Sequence, residues 1–253
     1  MANFPLADAW ASSPARIALA VLVTLGFAAL ARAVRGVSRS GTLAGGLASF
    51  VLFAGAGPAA FFALAALFAL TWASTRLGYR RKQELGVAEG REGRTARQVL
   101  ANVGVAAISA LLLSATGNRV WLVAMAAALA EAAADTVASE IGQTQGRQAL
   151  LITTWKPVPA GTDGGVTLPG TMAGAAAGLV IAAVCVLGGL LSPARLWIPA
   201  AAGFAGMLID SVLGATCERR GWMNNEIVNF LSTLAAAALA YGIANAVHSL
   251  APS

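Results

Sequence analysis

Charge is scarce in this sequence: 11% of its 253 residues are Asp, Glu, Lys or Arg, and 58% are hydrophobic, at a mean hydropathy of +0.72. A soluble domain carries about 25% charged residues, so a soluble fold is excluded. Histidine occurs once, as His248 at the end of the last apolar run, which leaves a zinc centre or a Ser-His-Asp hydrolase without its central residue. The two cysteines, Cys185 and Cys217, fall near opposite membrane faces in the topology below, so no structural disulfide is expected. Met1 to Pro14 has one acidic and no basic residue, so the charged start of a cleaved signal peptide is not expected. The net charge of +6 comes from basic residues beside apolar segments rather than from a basic stripe with interleaved aromatics. No nucleic-acid partner is expected.

What fills the chain is apolar runs. They cover about 14–35, 41–55, 57–77, 97–115, 119–139, 170–191, 196–216 and 226–249, separated by Gly, Pro or charge clusters. A membrane-spanning helix needs about 20 apolar residues, so the expectation is an all-α, multi-pass integral membrane protein of about eight helices, forming one polytopic domain over 1–253. The second run is short, about 22 Å at 1.5 Å per residue, and meets the third at Gly55-Ala56-Gly57-Pro58. That pair is either a tight hairpin or partly re-entrant, and seven full spans is the alternative.

Counting Lys and Arg orients the chain. Fourteen fall on one side, Arg91, Arg94, Arg97, Arg147 and Lys156 among them, and three on the other: Arg16, Arg119 and Arg195. The richer side is cytoplasmic, which places loops 78–96, 140–169 and 217–225 inside the cell and both termini outside, with a cell-membrane location. A faint repeat relates Gly41-Thr42-Leu43-Ala44-Gly45 to Gly170-Thr171-Met172-Ala173-Gly174, and Asn102 to Asn229. It suggests two parallel four-helix halves, against the simpler account that small-residue helices look alike because lipid favours them. The same small residues permit a homo-oligomer without demanding one.

Several polar residues stand out against this background. Glu131 and Asp135 share one helical face at i, i+4, in a segment that continues through Ser139 to Glu140. An ionised side chain at the bilayer centre costs about 3 kcal/mol, so these acids need a wet cavity, a metal or a basic partner, unless they mark a solvated helix end. Asp210 brings a third acid to the same depth from another span, the alternative being a buried Asp bonded to a neighbouring helix. The loop Lys156-Pro-Val-Pro-Ala-Gly161-Thr162-Asp163-Gly164-Gly165-Val-Thr167 runs straight into a helix. Glycines let successive N–H groups face one concavity and a helix N-terminus adds donors, a combination suited to phosphate, although an ordinary Pro/Gly connector has the same composition. Asn224 or Asn225 is a candidate N-cap. Asn229 and Asn102 lie inside apolar helices, where each needs a partner. The basic loop 78–96 either holds phosphate or serves only as a topology determinant.

At these motifs the sequence resembles an integral membrane family long called a domain of unknown function, which includes a plant phytyl-phosphate kinase and an animal transmembrane protein. The resemblance runs from about Arg39 to Thr233. It rests on Asp135-Thr-Val-Ala-Ser139-Glu140-Ile-Gly142, on Lys156 to Thr167, on Asp210-Ser-Val-Leu-Gly-Ala215 and on Asn224-Asn225-Glu-Ile-Val-Asn229. A more distant likeness links the first two motifs to dolichol and phytol kinases and CDP-diacylglycerol synthases.

The resemblance implies phosphoryl transfer from a nucleoside triphosphate, CTP or ATP with CTP preferred, to an isoprenyl monophosphate lipid. The expected catalytic residues are Asp135, Asp210 and Lys156. Mg²⁺ is expected on Asp135 and Asp210 with Glu140, Asp163 or Glu131. The nucleotide and phosphate are expected at Gly161, Thr162, Asp163, Gly164, Gly165, Thr167, Ser139, Asn225, Asn229 and Asn102. The rival readings are a transporter or lipid flippase, because intramembrane acids and parallel repeats also occur there, and cytidylyl transfer giving a CDP-linked lipid.

Overall fold

The computed structural model describes residues 14–88, 90, 92–145 and 148–250. The N-terminal segment, Arg91, Arg147 and the side chain of His248 lie outside the described residues. Eight long helices are present among them: α1 (Pro14–Ala33), α2 (Arg39–Ala56), α3 (Pro58–Arg76), α5 (Ala96–Thr116), α6 (Val120–Gln145), α7 (Leu168–Leu187), α8 (Trp197–Leu213) and α9 (Asn225–Leu250), with one short helix, α4 (Tyr79–Glu84). Seven of the eight are long and apolar enough to cross a membrane. The exception is α2, whose 18 residues begin with Arg39-Ser40 and include only a short apolar stretch. Even so, α2 runs the full length of α5, the Ala96 N–H donating to Ser40 Oγ at 3.3 Å at one end and Ser114 Oγ donating to the Gly55 carbonyl at 3.3 Å at the other, so the chain crosses the bundle eight times, seven of them in segments of spanning length. Gly57 alone links α2 to α3, at φ +92°, with Pro58 at the first helical position where its missing N–H costs nothing.

α6 is the hub. Its apolar residues run all round the helix, the pattern of a buried element, and 89% of the span is buried beneath α3, α5, α7, α8 and α9. Alanine makes that possible by letting neighbouring backbones approach. The α6–α7 crossing is closest, because Gly170, Gly174 and Gly178 recur every fourth residue. A Cβ added at these positions would lie 2.5 Å from the Ala138 carbonyl oxygen, 2.6 Å from that of Ala134 and 3.3 Å from that of Ala130.

Three expectations change. α6 does not stop at 139 but continues to Gln145, because its polar last turns have partners: the Lys82 side chain pairs with Glu140, and Gly78 packs on Thr144. The 140–169 connection is not wholly irregular, since it holds a three-stranded antiparallel sheet ordered β2–β1–β3, from β1 (Gln148–Leu151), β2 (Pro157–Pro159) and β3 (Gly165–Val166). Pro157 and Pro159 lack N–H donors and therefore occupy an edge strand. The helix packing also does not repeat between the two halves. α2 packs along α5, whereas α7 packs against α6, α8 and α3, and α9 against α6, α8 and α5.

Candidate active site

The helix directions bring the conspicuous acids to one place. Asp135 on α6 and Asp210 on α8 meet across the packed α6–α8 interface, at the end of the bundle covered by the small sheet. A polar cavity of about 270 Å³ opens there. Its walls come from α6, from α8 and the π-turn Gly214–Glu218 that follows it, from the glycine loop before α7, and from the first turns of α5 and α9.

Most residues singled out in the sequence reach this cavity: Asp135, Ser139, Glu140, Gly161, Thr162, Asp163, Gly164, Gly165, Thr167, Asp210, Asn102, Asn225 and Asn229 all line it. The glycine loop is shaped by contacts only glycine tolerates. Gly161 (φ +87°) has no room for a Cβ, which would lie 2.8 Å from Val87, and Gly164 (φ +72°) lies directly against the Ala215 backbone. The loop is tied to the sheet because the Ile152 N–H donates to the Gly164 carbonyl over 3.0 Å. Thr167 is the N-cap of α7, its Oγ1 accepting from the Gly170 N–H at 3.1 Å. Asn224 takes the corresponding role for the start of α9, accepting from the Ile227 N–H at 3.0 Å, which leaves the Asn225 side chain to face the cavity and Glu218.

One turn deeper on α6 is Glu131, 1% exposed, in space that Gly206 leaves open: a Cβ there would lie 2.6 Å from Glu131 Cγ. Ser232 on α9 stands between the acids, donating to Asp210 Oδ2 at 3.1 Å and lying within reach of Glu131. Among the described residues, two buried oxygens at or below the cavity wall lack a hydrogen-bond partner, Glu131 Oε1 and Asn229 Oδ1. A buried oxygen without a partner is expensive, and these two suit a cation or a donor-bearing ligand.

Glu131, expected as a metal ligand, lies beneath the cavity wall rather than in it, and two further expected site residues are placed differently. Lys156 is exposed at the end of the turn between β1 and β2, where its carbonyl accepts from the Leu151 N–H at 2.9 Å, and it does not line the cavity. Glu140 reaches the cavity edge but both its oxygens are engaged, Oε2 by Lys82 Nζ at 2.5 Å and Oε1 by the Thr75 hydroxyl at 2.8 Å. It is a structural anchor here rather than a free ligand.

The cation that does enter the cavity is Arg94. Its Nη2 donates to Thr136 Oγ1 at 3.3 Å, and it lies close enough to Asp135 to interact electrostatically. Its backbone is held in a parallel bridge with Val37, through Arg94 N–H to the Gly36 carbonyl (3.1 Å) and Ser38 N–H to the Arg94 carbonyl (2.9 Å). Gly41 and Gly93 make room for this crossing. The sequence leaves Arg94 open between holding phosphate with the other basic residues of its loop and setting topology. A signal was present in Gly93-Arg94-Thr95-Ala-Arg-Gln98, a capping box whose N-cap, Thr95, directly follows Arg94 and fixes the start of α5. Glu218 and Thr136 were also missed, the first because the π-turn prolongs the helical path beyond Leu213.

The cavity is therefore acidic, with Asp135, Asp163, Asp210 and Glu218 outnumbering Arg94. A polyphosphate could not enter it without cations. Among the described residues no three His, Cys, Asp or Glu side chains form a self-contained metal centre. That is compatible with Mg²⁺, which at nucleotide sites takes one or two carboxylates and completes its shell with water and phosphate oxygens. Asp135 and Asp210 fit that requirement.

Residues 22–237 match the family described as integral membrane protein DUF92. The chain belongs to this family. DUF92 relatives share most of its length: it is 37% identical over 199 residues to an uncharacterised membrane protein of Synechocystis sp., covering 76% of this chain and 77% of that one. It is 31% identical over 208 residues to the chloroplastic protein VTE6 of Arabidopsis thaliana, covering 79% of this chain and 62% of VTE6. An uncharacterised membrane protein of Methanocaldococcus jannaschii is 30% identical over 220 residues, covering 87% and 90%. No solved structure matches this DUF92 chain.

Proposed function

We propose that this protein is a membrane-embedded phosphotransferase that converts an isoprenyl monophosphate to the diphosphate with a nucleoside triphosphate as donor. The observation that carries this reading is the convergence of Asp135 and Asp210 beneath a glycine loop in one polar cavity of a membrane bundle. The resemblance of the same motifs to a family with a phytyl-phosphate kinase supports the substrate class, and supports CTP as donor over ATP.

Phosphoryl transfer needs alignment and charge stabilisation more than covalent chemistry. In this reading Asp135 and Asp210 would hold Mg²⁺, which would supply positive charge to neutralise the phosphate oxygens of the donor. The N–H groups of the Gly161–Gly165 loop and the Arg94 guanidinium stabilise charge on the transferred group. Asn225 and Asn229 orient the donor from the opposite wall, and Asn102 from the α5 side. Ser232 holds Oδ2 of Asp210 in place. An oxygen of the acceptor phosphate attacks the γ-phosphorus, a P–O bond forms to the acceptor as the γ–β bridging bond breaks, and the nucleoside diphosphate leaves. No nucleophilic side chain takes part. The excess of Lys and Arg on the connecting loops of this side supports a cytoplasmic site, where the donor arrives from water.

Product analysis tests the reading. Purified protein in detergent is incubated with Mg²⁺, labelled CTP or ATP and a panel of isoprenyl monophosphates, followed by mass spectrometry. An isoprenyl diphosphate with equimolar nucleoside diphosphate is the expected result. A CDP-linked lipid with pyrophosphate would replace the kinase by a cytidylyltransferase, and no nucleotide turnover in folded protein would leave transport as the better account.

A further inference from the structure

A second, larger cavity of about 520 Å³ lies beside the acidic one, between α1, α2, α3 and α5. Its walls are apolar, with Phe27, Leu64, Leu67, Phe68, Val99 and Val103 facing it. Phe27 and Phe68 meet edge to face with centroids 5.4 Å apart, and Gly36 leaves room for the Phe68 ring, which a Cβ would approach to 2.6 Å. The volume falls within the roughly 300–1,000 Å³ typical of small-molecule sites. The helices around it lie in the membrane bundle, so a hydrocarbon chain is the ligand at hand.

The cavity is polar at one end only. Arg35, just beyond α1, Arg76, in the last turn of α3, and Arg94 gather there. Arg76 is fixed over the Trp72 ring at 4.3 Å, and it also donates to the Val34 carbonyl. A cationic rim on an apolar chamber is complementary to an amphiphile with an anionic head. The rim is also shared: Arg94 and Asn102 line both cavities, so a headgroup at this neck faces Asp135 and Asp210 on its far side.

We propose that the apolar cavity holds the hydrocarbon tail of an isoprenyl monophosphate and that Arg94, at the neck, receives its phosphate, so that one molecule reaches from the lipid-filled chamber into the acidic site. This rests on the phosphotransferase reading for the substrate class and deepens it by assigning the acceptor's place. Membrane phosphatidic acid carries the same kind of headgroup, but its two acyl chains and glycerol exceed a single-chain chamber. The branched single chain is therefore the occupant.

Photo-crosslinking tests the assignment without requiring turnover. Purified full-length protein is labelled, in the absence of nucleotide, with a geranylgeranyl monophosphate analogue carrying a diazirine at the far end of its tail, and the adducts are mapped by mass spectrometry. Adducts on Leu64, Leu67, Val99 or Val103 are expected. Competition should be strong with unlabelled isoprenyl monophosphate and weak with the corresponding alcohol or with phosphatidic acid. Loss of a charge-assisted bond to phosphate in Arg94→Gln should weaken labelling by about tenfold, while Arg97→Gln, outside both cavities, should not. Adducts confined to outward-facing residues such as Leu43 or Leu111, equal competition by the alcohol or by phosphatidic acid, or unchanged labelling in Arg94→Gln would overturn the proposal. Turnover without cavity labelling removes the tail site and leaves the kinase standing; cavity labelling without turnover does the reverse.

Discussion

Lys82 Nζ lies 2.5 Å from Glu140 Oε2, with the lysine side chain 1% and the glutamate 13% exposed. The remaining lysine protons reach the Ser74 carbonyl at 3.1 Å and the Thr75 carbonyl at 2.6 Å. The pair thus fastens the short α4, the end of α3 and the last turns of α6 into one unit beside the acidic cavity. Removing one partner of a buried pair costs about 3–5 kcal/mol, whereas replacing both with apolar groups is often near neutral. Lys82→Met should therefore lower the thermal unfolding midpoint markedly, and Lys82→Met/Glu140→Leu should recover most of the loss in the same melting assay.

Lys156 adjoins the glycine loop in sequence and Arg94 lies far from it, but only Arg94 lines the cavity. Removing one donor aimed at developing charge lowers turnover by about 10²-fold or more. Arg94→Gln should show that loss in kcat, while Lys156→Ala should keep kcat and KM close to wild type. Equal losses in the two variants would mean that the loop reorganises around the nucleotide.

Gly164 and Gly86 share a left-handed backbone, at φ +72° and +75°, but differ in surroundings: a Cβ at Gly164 runs into the Ala215 backbone, whereas at Gly86 nothing lies within 4 Å. Alanine in this region costs about 1–2 kcal/mol from the backbone alone. Gly86→Ala should show only that modest loss of stability. Gly164→Ala should in addition displace the loop from the π-turn and raise the KM for the nucleotide, read by steady-state kinetics.

Helix glycines should divide the same way. Gly174 faces the Ala134 carbonyl at a hypothetical Cβ distance of 2.6 Å, but Gly104 in α5 has open space. Gly104→Ala should stabilise by about 0.5–1 kcal/mol through backbone entropy, whereas Gly174→Ala should destabilise by forcing α6 and α7 apart. Denaturation of the two variants in the same detergent compares them directly.

Long apolar runs marked the helices to within a few residues at most ends, because an uninterrupted apolar run of about 20 residues satisfies its own backbone in lipid as a helix. The polar residues that lipid makes costly, Asp135, Asp210 and Asn229, were legible for the same reason and meet in one cavity. What stayed hidden depended on distant partners. Glu140 reads as a free acid until Lys82 is placed beside it, and Arg94 stays undecided between phosphate binding and topology until the Val37 bridge pins it at the cavity mouth. The end of α6 was missed because its polar last turns are paid for by tertiary contacts with α4 and Gly78. Lys156 was misplaced because the tight turn at Ile152–Trp155, with Trp155 at φ +56°, separates it from the glycine loop's cavity face and leaves it exposed.

The most direct test of the central claim is the rate of isoprenyl diphosphate formation by Asp135→Asn and Asp210→Asn beside wild type, each checked for an unchanged elution profile and melting behaviour. The asparagines keep side-chain volume and remove the charge that would hold Mg²⁺. The account predicts well-folded proteins in which turnover falls by about 10³-fold or more. Wild-type rates in either folded variant would contradict the assignment of the acidic cavity as the site of phosphoryl transfer.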